Sequence, residues 1–286
     1  MKKSLLILVI LSIGGLAKAQ VFQTFKDTRV INTHSTEVLG KGQMDIRIGH
    51  RFGDMFGDRG GWETFYGLES AQDILIGAEY GLTKDVMIGL SRTKGAGDIG
   101  QNVNGLFKWR LIQQNEERNL PISLAIIGTA SVSTQEANDE GTTVTSFQKF
   151  THRIVFHSAF IVAKKFNPYF SAQIGGGFTH RNLVIEGGDN DILNFSAAAR
   201  VQITKNIGVI LDANFPIAET LTADNGHYPA LGFGVEFETG GGHVFQINLT
   251  NSTGIMETDY IPYTTSQWSE GQFRLGFTIS RQFKLN

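Results

Sequence analysis

Eleven charged residues sit inside runs that alternate apolar and polar, and they are the residues whose spacing best suits chemistry. They are Asp45, Arg47, Arg51, Asp73, Glu79, Lys108, Arg110, Arg200, Asp212, Glu236 and Arg274. In an extended chain, side chains two apart share a face, so these charges gather on the face opposite the apolar one. Five acids and six bases on one wall permit two designs. Opposite charges on neighbouring strands pair and close a narrow interior. Alternatively, acids and bases segregate on opposite walls and set a transverse field for small ionic solutes.

Other patterns are weaker. Gly95-Ala96-Gly97-Asp98-Ile99-Gly100 matches GxGxxG, but phosphate binding there requires a helix after the third glycine, and a strand pattern follows. His157 and Ser158 are adjacent, which on a strand points them to opposite faces, so they do not read as a nucleophile and its base. The seven histidines, at 34, 50, 152, 157, 180, 227 and 243, contain no HxH or HxxxH spacing, so no metal or haem site is expected. The Asp54–Asp58 stretch with Gly60-Gly61 resembles a calcium loop only in composition. No catalytic residue, cofactor or metal ligand is expected.

The elements that must position these charges read as strands. Alternation recurs from residue 43 to 283, as in Met44-Asp45-Ile46-Arg47-Ile48 and Phe273-Arg274-Leu275-Gly276-Phe277. Residues 150–164 are a strand whose faces are harder to assign; the expectation sets Ile154, Phe156, Phe160 and Val162 against Arg153, His157 and Ala159. The pattern yields about twelve strands, most near ten residues. Ten residues at ~3.3 Å, tilted by ~40°, span roughly 25 Å, the apolar height of a membrane barrel. The expected fold is therefore all-β: a transmembrane antiparallel up-and-down β-barrel over residues 42–286, apolar outside and polar inside. Short connections at 83–84, 166–167, 205–206 and 240–242, and a modest one at 114–120, alternate with longer stretches at 53–72, 94–101, 133–147, 181–191, 218–229 and 252–271. That alternation is expected of short periplasmic turns and long external loops. The longer stretches hold 16 acids and 3 bases, so an acidic outer rim is expected. Gly175-Gly176-Gly177 is expected to thin the wall or to let a neighbouring side chain lie over it.

Composition agrees. The 286 residues include 34 Gly, 21 Phe and no Cys, which excludes disulfides and thiolate chemistry. The formal charge of −2, with no basic block, argues against nucleic acid as a partner. Residues 1–19 read as a secretory signal: Lys2 and Lys3, an apolar run from Leu5 to Leu16, and Ala17-Lys18-Ala19 with cleavage after Ala19. Export to the outer membrane of a Gram-negative cell follows. Residues 20–41 show no period; a short strand or turn at the periplasmic mouth, a small inward plug and a flexible leader are all open.

The run from Phe25 to Gly53, FKDTRVINTHSTEVLGKGQMDIRIGHRFG, and that from Tyr66 to Arg92, YGLESAQDILIGAEYGLTKDVMIGLSR, resemble an uncharacterised outer-membrane β-barrel family of Bacteroidota-type bacteria. The resemblance implies a secreted barrel and brings no substrate or catalytic residue. The expected function is a narrow channel for small polar or ionic solutes, its rim favouring cations. A non-conducting structural or partner-binding barrel is the alternative, and a barrel lipid hydrolase a third. A pore predicts sparse pairing across the lumen, and a structural barrel predicts a continuous network. Expected partners are membrane lipid, lipopolysaccharide, a small solute or cation and, during biogenesis, the barrel assembly machinery.

Overall fold

A computed structural model describes residues 23–95, 97–138, 141, 143–239 and 241–285. The expected signal, residues 1–19, lies outside them. Twelve strands follow one another: β1 Gln43–Phe52, β2 Ala71–Gly81, β3 Val86–Gly95, β4 Gln101–Ile112, β5 Ser123–Ser133, β6 Ile154–Asn167, β7 Phe170–Arg181, β8 Asp191–Gln202, β9 Ile207–Ile217, β10 Ala230–Glu238, β11 His243–Thr250 and β12 Arg274–Lys284. Each pairs antiparallel with its neighbours in sequence. β1 pairs with β12, from Gln43↔Lys284 to Arg51↔Gly276, and this seam closes the barrel. Closure leaves no sheet edge with unpaired backbone groups.

The two-residue period decides which side chains face out. Ile76 is 59 % exposed, Leu90 65 % and Leu193 56 %, whereas Asp45 and Lys108 are fully buried. Phe107, Trp109, Phe156, Phe160, Phe178 and Phe233 continue the outer apolar surface. The faces of β6 fall as expected, with Phe156 and Phe160 outside and His157 buried within. In the glycine run a Cβ on Gly176 would meet the Phe160 ring at 3.2 Å, so that ring lies over the bare backbone.

Both described ends of the chain and the connections 82–85, 113–122, 168–169, 203–206 and 239–242 lie at one end of the barrel, here the turn end. The described residues of the connections after β1, β3, β5, β7, β9 and β11 (53–70, 97–100, 134–138 with 141 and 143–153, 182–190, 218–229 and 251–273) lie at the opposite, loop end. Length does not alternate strictly. The connection 96–100 is shorter than 113–122, because β3 runs on to Gly95 and a backbone bridge between Asn115 and Leu120 shapes the longer turn.

The interior is filled from both ends. From the turn end, residues 24–37 run into the barrel and return as a hairpin. Val30 N–H donates to Thr33 O at 2.8 Å and Ser35 N–H to Thr28 O at 2.9 Å. From the loop end, the β11–β12 connection folds inward and carries the short helix α1, Glu257–Tyr263. Inward apolar wall residues receive both insertions. Phe25, Val30 and Ile31 pack on Ala163, Ala198 and Ile210. Tyr260 and Ile261 pack on Ile192, Leu221 and Ala230, and Ile255 and Met256 on Leu75. Gly232 makes room for the hairpin tip: a Cβ there would stand 2.5 Å from Asp212 Oδ1 and 3.0 Å from Ile31.

Candidate functional site

A hairpin inside a barrel has no neighbouring strand of its own to satisfy its backbone, yet burial requires that its polar groups be bonded. The wall supplies the partners. Lys108 Nζ donates to three hairpin carbonyls, Thr28 O at 2.8 Å, Ser35 O at 3.1 Å and Glu37 O at 3.2 Å. Gln173 Nε2 donates to His34 O at 2.7 Å and Gln246 Nε2 to Arg29 O at 3.2 Å. At the tip, the backbone N–H groups of Ile31, Asn32 and Thr33 all donate to Asp212 Oδ2, at 3.2, 2.5 and 2.9 Å. Asn32 Nδ2 reaches Asp212 Oδ1 at 2.8 Å. The tip is thus a small nest of N–H groups closed on one carboxylate.

The charged residues of the wall engage the insertions more than one another. Arg47 bonds both carboxylate oxygens of the hairpin's Asp27, the longer contact at 2.8 Å, and Asp45 Oδ2 at 3.0 Å. Glu79 accepts from Thr28 Oγ1 at 2.8 Å. Arg110 lies at the turn end, between Asp85 Oδ1 at 3.1 Å and Glu37 Oε2 at 3.9 Å. Arg200 reaches across the bare backbone of Gly208 to bond Glu236. Arg51 joins the two insertions: its guanidinium donates to Asn32 Oδ1 at 2.7 Å, to Ser252 Oγ at 2.5 Å and to Gly254 O. Asp73 Oδ2 accepts from Ile255 N–H at 2.9 Å. Glu257 on α1 pairs with Arg29 at 3.2 Å and lies 3.3 Å from His34 Nε2. Arg274 meets the β11–β12 connection through Ser266 Oγ, at 2.7 Å, and among the described residues it forms no ion pair. The resulting network is continuous from Arg110 to Arg51, the pattern expected of a closed barrel.

Two groups on the insertions are displaced in opposite ways. Burial, helped by Arg29, Lys108, Arg47 and His157, holds His34 well below the usual 6.5 and so neutral. Burial and the nearby Asp73 and Asp98 push Asp259 of α1 up to about 7, against the pull of Arg51.

Above the insertions, at the loop end, a polar vestibule of about 580 Å³ remains, with Asp54, Asp58, Arg59, Asp98, Ser266 and Arg274 on its wall. Below it a gap of about 20 Å³ near Arg47 and Met256 has room for roughly one water. Among the described residues no serine hydroxyl bonds a histidine; His157 Nδ1 contacts Thr179 Oγ1 at 2.9 Å and His180 Nδ1 contacts Asp191 Oδ1 at 2.7 Å. Among them, too, no three His, Asp or Glu side chains gather as a metal site. No helix opens after Gly95; β4 follows.

A closed sheet whose outer face is apolar is the geometry of a barrel dissolved in lipid, and the family comparison agrees. A family model described as a membrane bound beta barrel domain (DUF5777) matches residues 25–283. The chain belongs to that family. The matched span begins at Phe25, so the hairpin is part of the DUF5777 domain. No curated protein matches the chain. Among solved structures, the NanC porin is 8 % identical with a TM-score of 0.50, covering 85 % of this chain and 100 % of that one. The KdgM porin is 4 % identical with a TM-score of 0.50, covering 85 % and 99 %. The COG4313 outer membrane channel from Pseudomonas putida F1 is 11 % identical with a TM-score of 0.50, covering 87 % and 98 %. At these identities the likeness is one of fold.

Sequence reasoning placed the wall charges but not their partners. It passed over Asp27, Asn32, Glu257 and Gln173, which hold the interior together. For Asp27 and Asn32 the signal was an aperiodic stretch, Asp27 to Glu37, unusually rich in polar side chains for a segment that also contains Val30 and Ile31.

Proposed function

We propose that this protein is an outer-membrane channel for small polar or ionic solutes, drawn here in its closed state, with the hairpin as the gate. One observation carries the reading. The barrel is closed by two inserted segments of the chain, held in place by non-covalent contacts, and a polar vestibule of about 580 Å³ opens above them. A barrel built only for support gains nothing from such a vestibule. The printed descriptions of the similar folds, two porins and an outer membrane channel, support the same reading. In this proposal the vestibule faces outward from a Bacteroidota-type cell, residues 1–19 direct export, and residues 20–41 form a small periplasmic segment ending in the plug. The acidic outer loops favour cations at the rim, and lipopolysaccharide surrounds it.

Opening requires the tip to leave Asp212. An Asp212→Ala change removes the acceptor of three backbone N–H groups and weakens docking by roughly 2–4 kcal/mol. Single-channel recording in a planar bilayer tests this. The native chain is expected to open rarely and the variant often, with reversal potentials favouring cations in a salt gradient. A variant that is folded, as judged by heat-dependent migration, has an undocked hairpin by proteolysis, and still passes no current would sink the channel reading.

The continuity of the network favours a second reading, a permanently closed barrel that acts through its surface. That outcome of the same recording would support it.

A further inference from the structure

Among the described residues Arg274 is the one buried guanidinium that combines the lack of an ion pair with a buried, unbonded nitrogen. It is 3 % exposed, and among the described residues it forms no ion pair. Its Nη2 donates to Ser266 Oγ at 2.7 Å, while its Nε is buried with no acceptor. Arg47 and Arg200 have carboxylates, and Arg51 has four oxygen acceptors. Desolvating a guanidinium without a carboxylate partner is costly, and Arg274 borders the vestibule, so the position suits an anion entering from that side. A guanidinium on the vestibule wall suits a carboxylate, through charge-assisted hydrogen bonds.

The surroundings restrict that anion. Arg274 forms part of the vestibule wall together with Arg59 and with Asp54, Asp58 and Asp98. Asp54 is near enough for its field to act on Arg274, yet the two do not pair. A gap between fixed charges of opposite sign, inside a vestibule large enough for a small molecule, is complementary to a solute carrying both signs. With three carboxylates to two guanidiniums, the wall disfavours a solute with several negative charges and attracts an ammonium group.

We propose that the outer vestibule binds a small zwitterion, such as a free amino acid or short peptide, with its carboxylate on Arg274 and its ammonium group towards Asp54, Asp58 and Asp98. The assignment deepens the channel reading by naming the class of solute, and rests on it for physiological meaning. Binding itself does not depend on conduction, because the vestibule lies above the closed lumen.

The test is a titration of the full mature chain, refolded in detergent, with three probes: glycylglycine, N-acetyl-glycylglycine and glycylglycine amide. Calorimetry gives the affinities. The zwitterion is expected to bind at least about tenfold more tightly than either derivative, a difference of about 1.4 kcal/mol. Arg274→Gln is expected to erase the preference for the zwitterion over its amide, and Arg274→Lys to keep part of it. Equal binding of the amide overturns the carboxylate subsite, and equal binding of the N-acetyl form overturns the zwitterion. If Arg274→Gln does not fold, the three-probe series on the native chain still decides. Failure of the channel reading shows separately, as a folded, unlatched barrel without current that nonetheless ranks the probes as expected.

Discussion

Lys108 is fully buried on a barrel wall, and its ammonium has three backbone carbonyls of the hairpin rather than a carboxylate within hydrogen-bond reach. A methionine at this position fills the space but leaves three acceptors unbonded. Lys108→Met should therefore loosen the hairpin by roughly 2–4 kcal/mol while the sheet stays closed. Limited proteolysis of residues 24–37, at constant heat-dependent migration, reads this directly. Gly232 acts by what it lacks. Gly232→Val places carbon where Asp212 and Ile31 already stand, so the tip should be displaced and its amide protons should exchange faster. Two titrations give opposite trends. His34 is neutral when docked and has its ordinary value near 6.5 when released, so its contribution to docking is complete above that value and falls as pH drops below it. Asp259 is held protonated up to about 7 when docked and ionises near 3.8 when released, so α1 docking weakens as pH climbs from about 4 and is weakest above 7. Hydrogen exchange against pH should show the hairpin opening in acid and the 251–264 connection opening at neutral and higher pH. Asp259→Asn should flatten only the second trend.

The strands and the inward insertions differ in how they are satisfied, and this explains what could be read from the sequence. Each strand answers to two solvents, so Ile76 and Leu75 or Trp109 and Lys108 alternate, and the period survives without any knowledge of neighbours. The hairpin answers to no solvent. Its two arms are buried all round, so Val30, Asn32 and His34 follow no period, and the donors and acceptors that hold them lie far off in sequence, at Asp212, Gln173 and Gln246. Residues 257–263 are too short for a helical period to show and contain Pro262. The vestibule was half legible: the inward position of Arg274 follows from alternation in β12, whereas its lack of an ionic partner depends on where loops from 53 to 272 come to rest. At this scale the two insertions should behave as one element. Glu257 meets both Arg29 and the ring of His34, so a double-mutant cycle of Arg29→Ala and Glu257→Ala, read by hairpin protection, should give a coupling of roughly 1–3 kcal/mol.

For the whole molecule, the sheet and its filling are separable. Every strand finds its hydrogen-bonded partners on the two adjacent strands, and β1 finds its second partner on β12. Asp212→Ala and Lys108→Met should thus change permeability and protease sensitivity together, yet leave the unfolding temperature of the barrel within a few degrees of native, since the lipid-facing belt is untouched. Differential scanning calorimetry in detergent, run beside the current recordings, measures both. The seam between β1 and β12 also imposes a schedule. The hairpin precedes every strand along the chain, but Asp212, Gln246, Ser252 and Glu257 follow it by about 180 residues or more, and a sheet already zipped shut offers it only the narrow turn end as a way in. The early segment must wait, uncommitted, while the strands accumulate, and then serve as the mandrel around which the last two curl. A chain truncated before β9 would present its beginning without the contacts that give it a place, so in this protein completion of the far end is what licenses the shape of the near one.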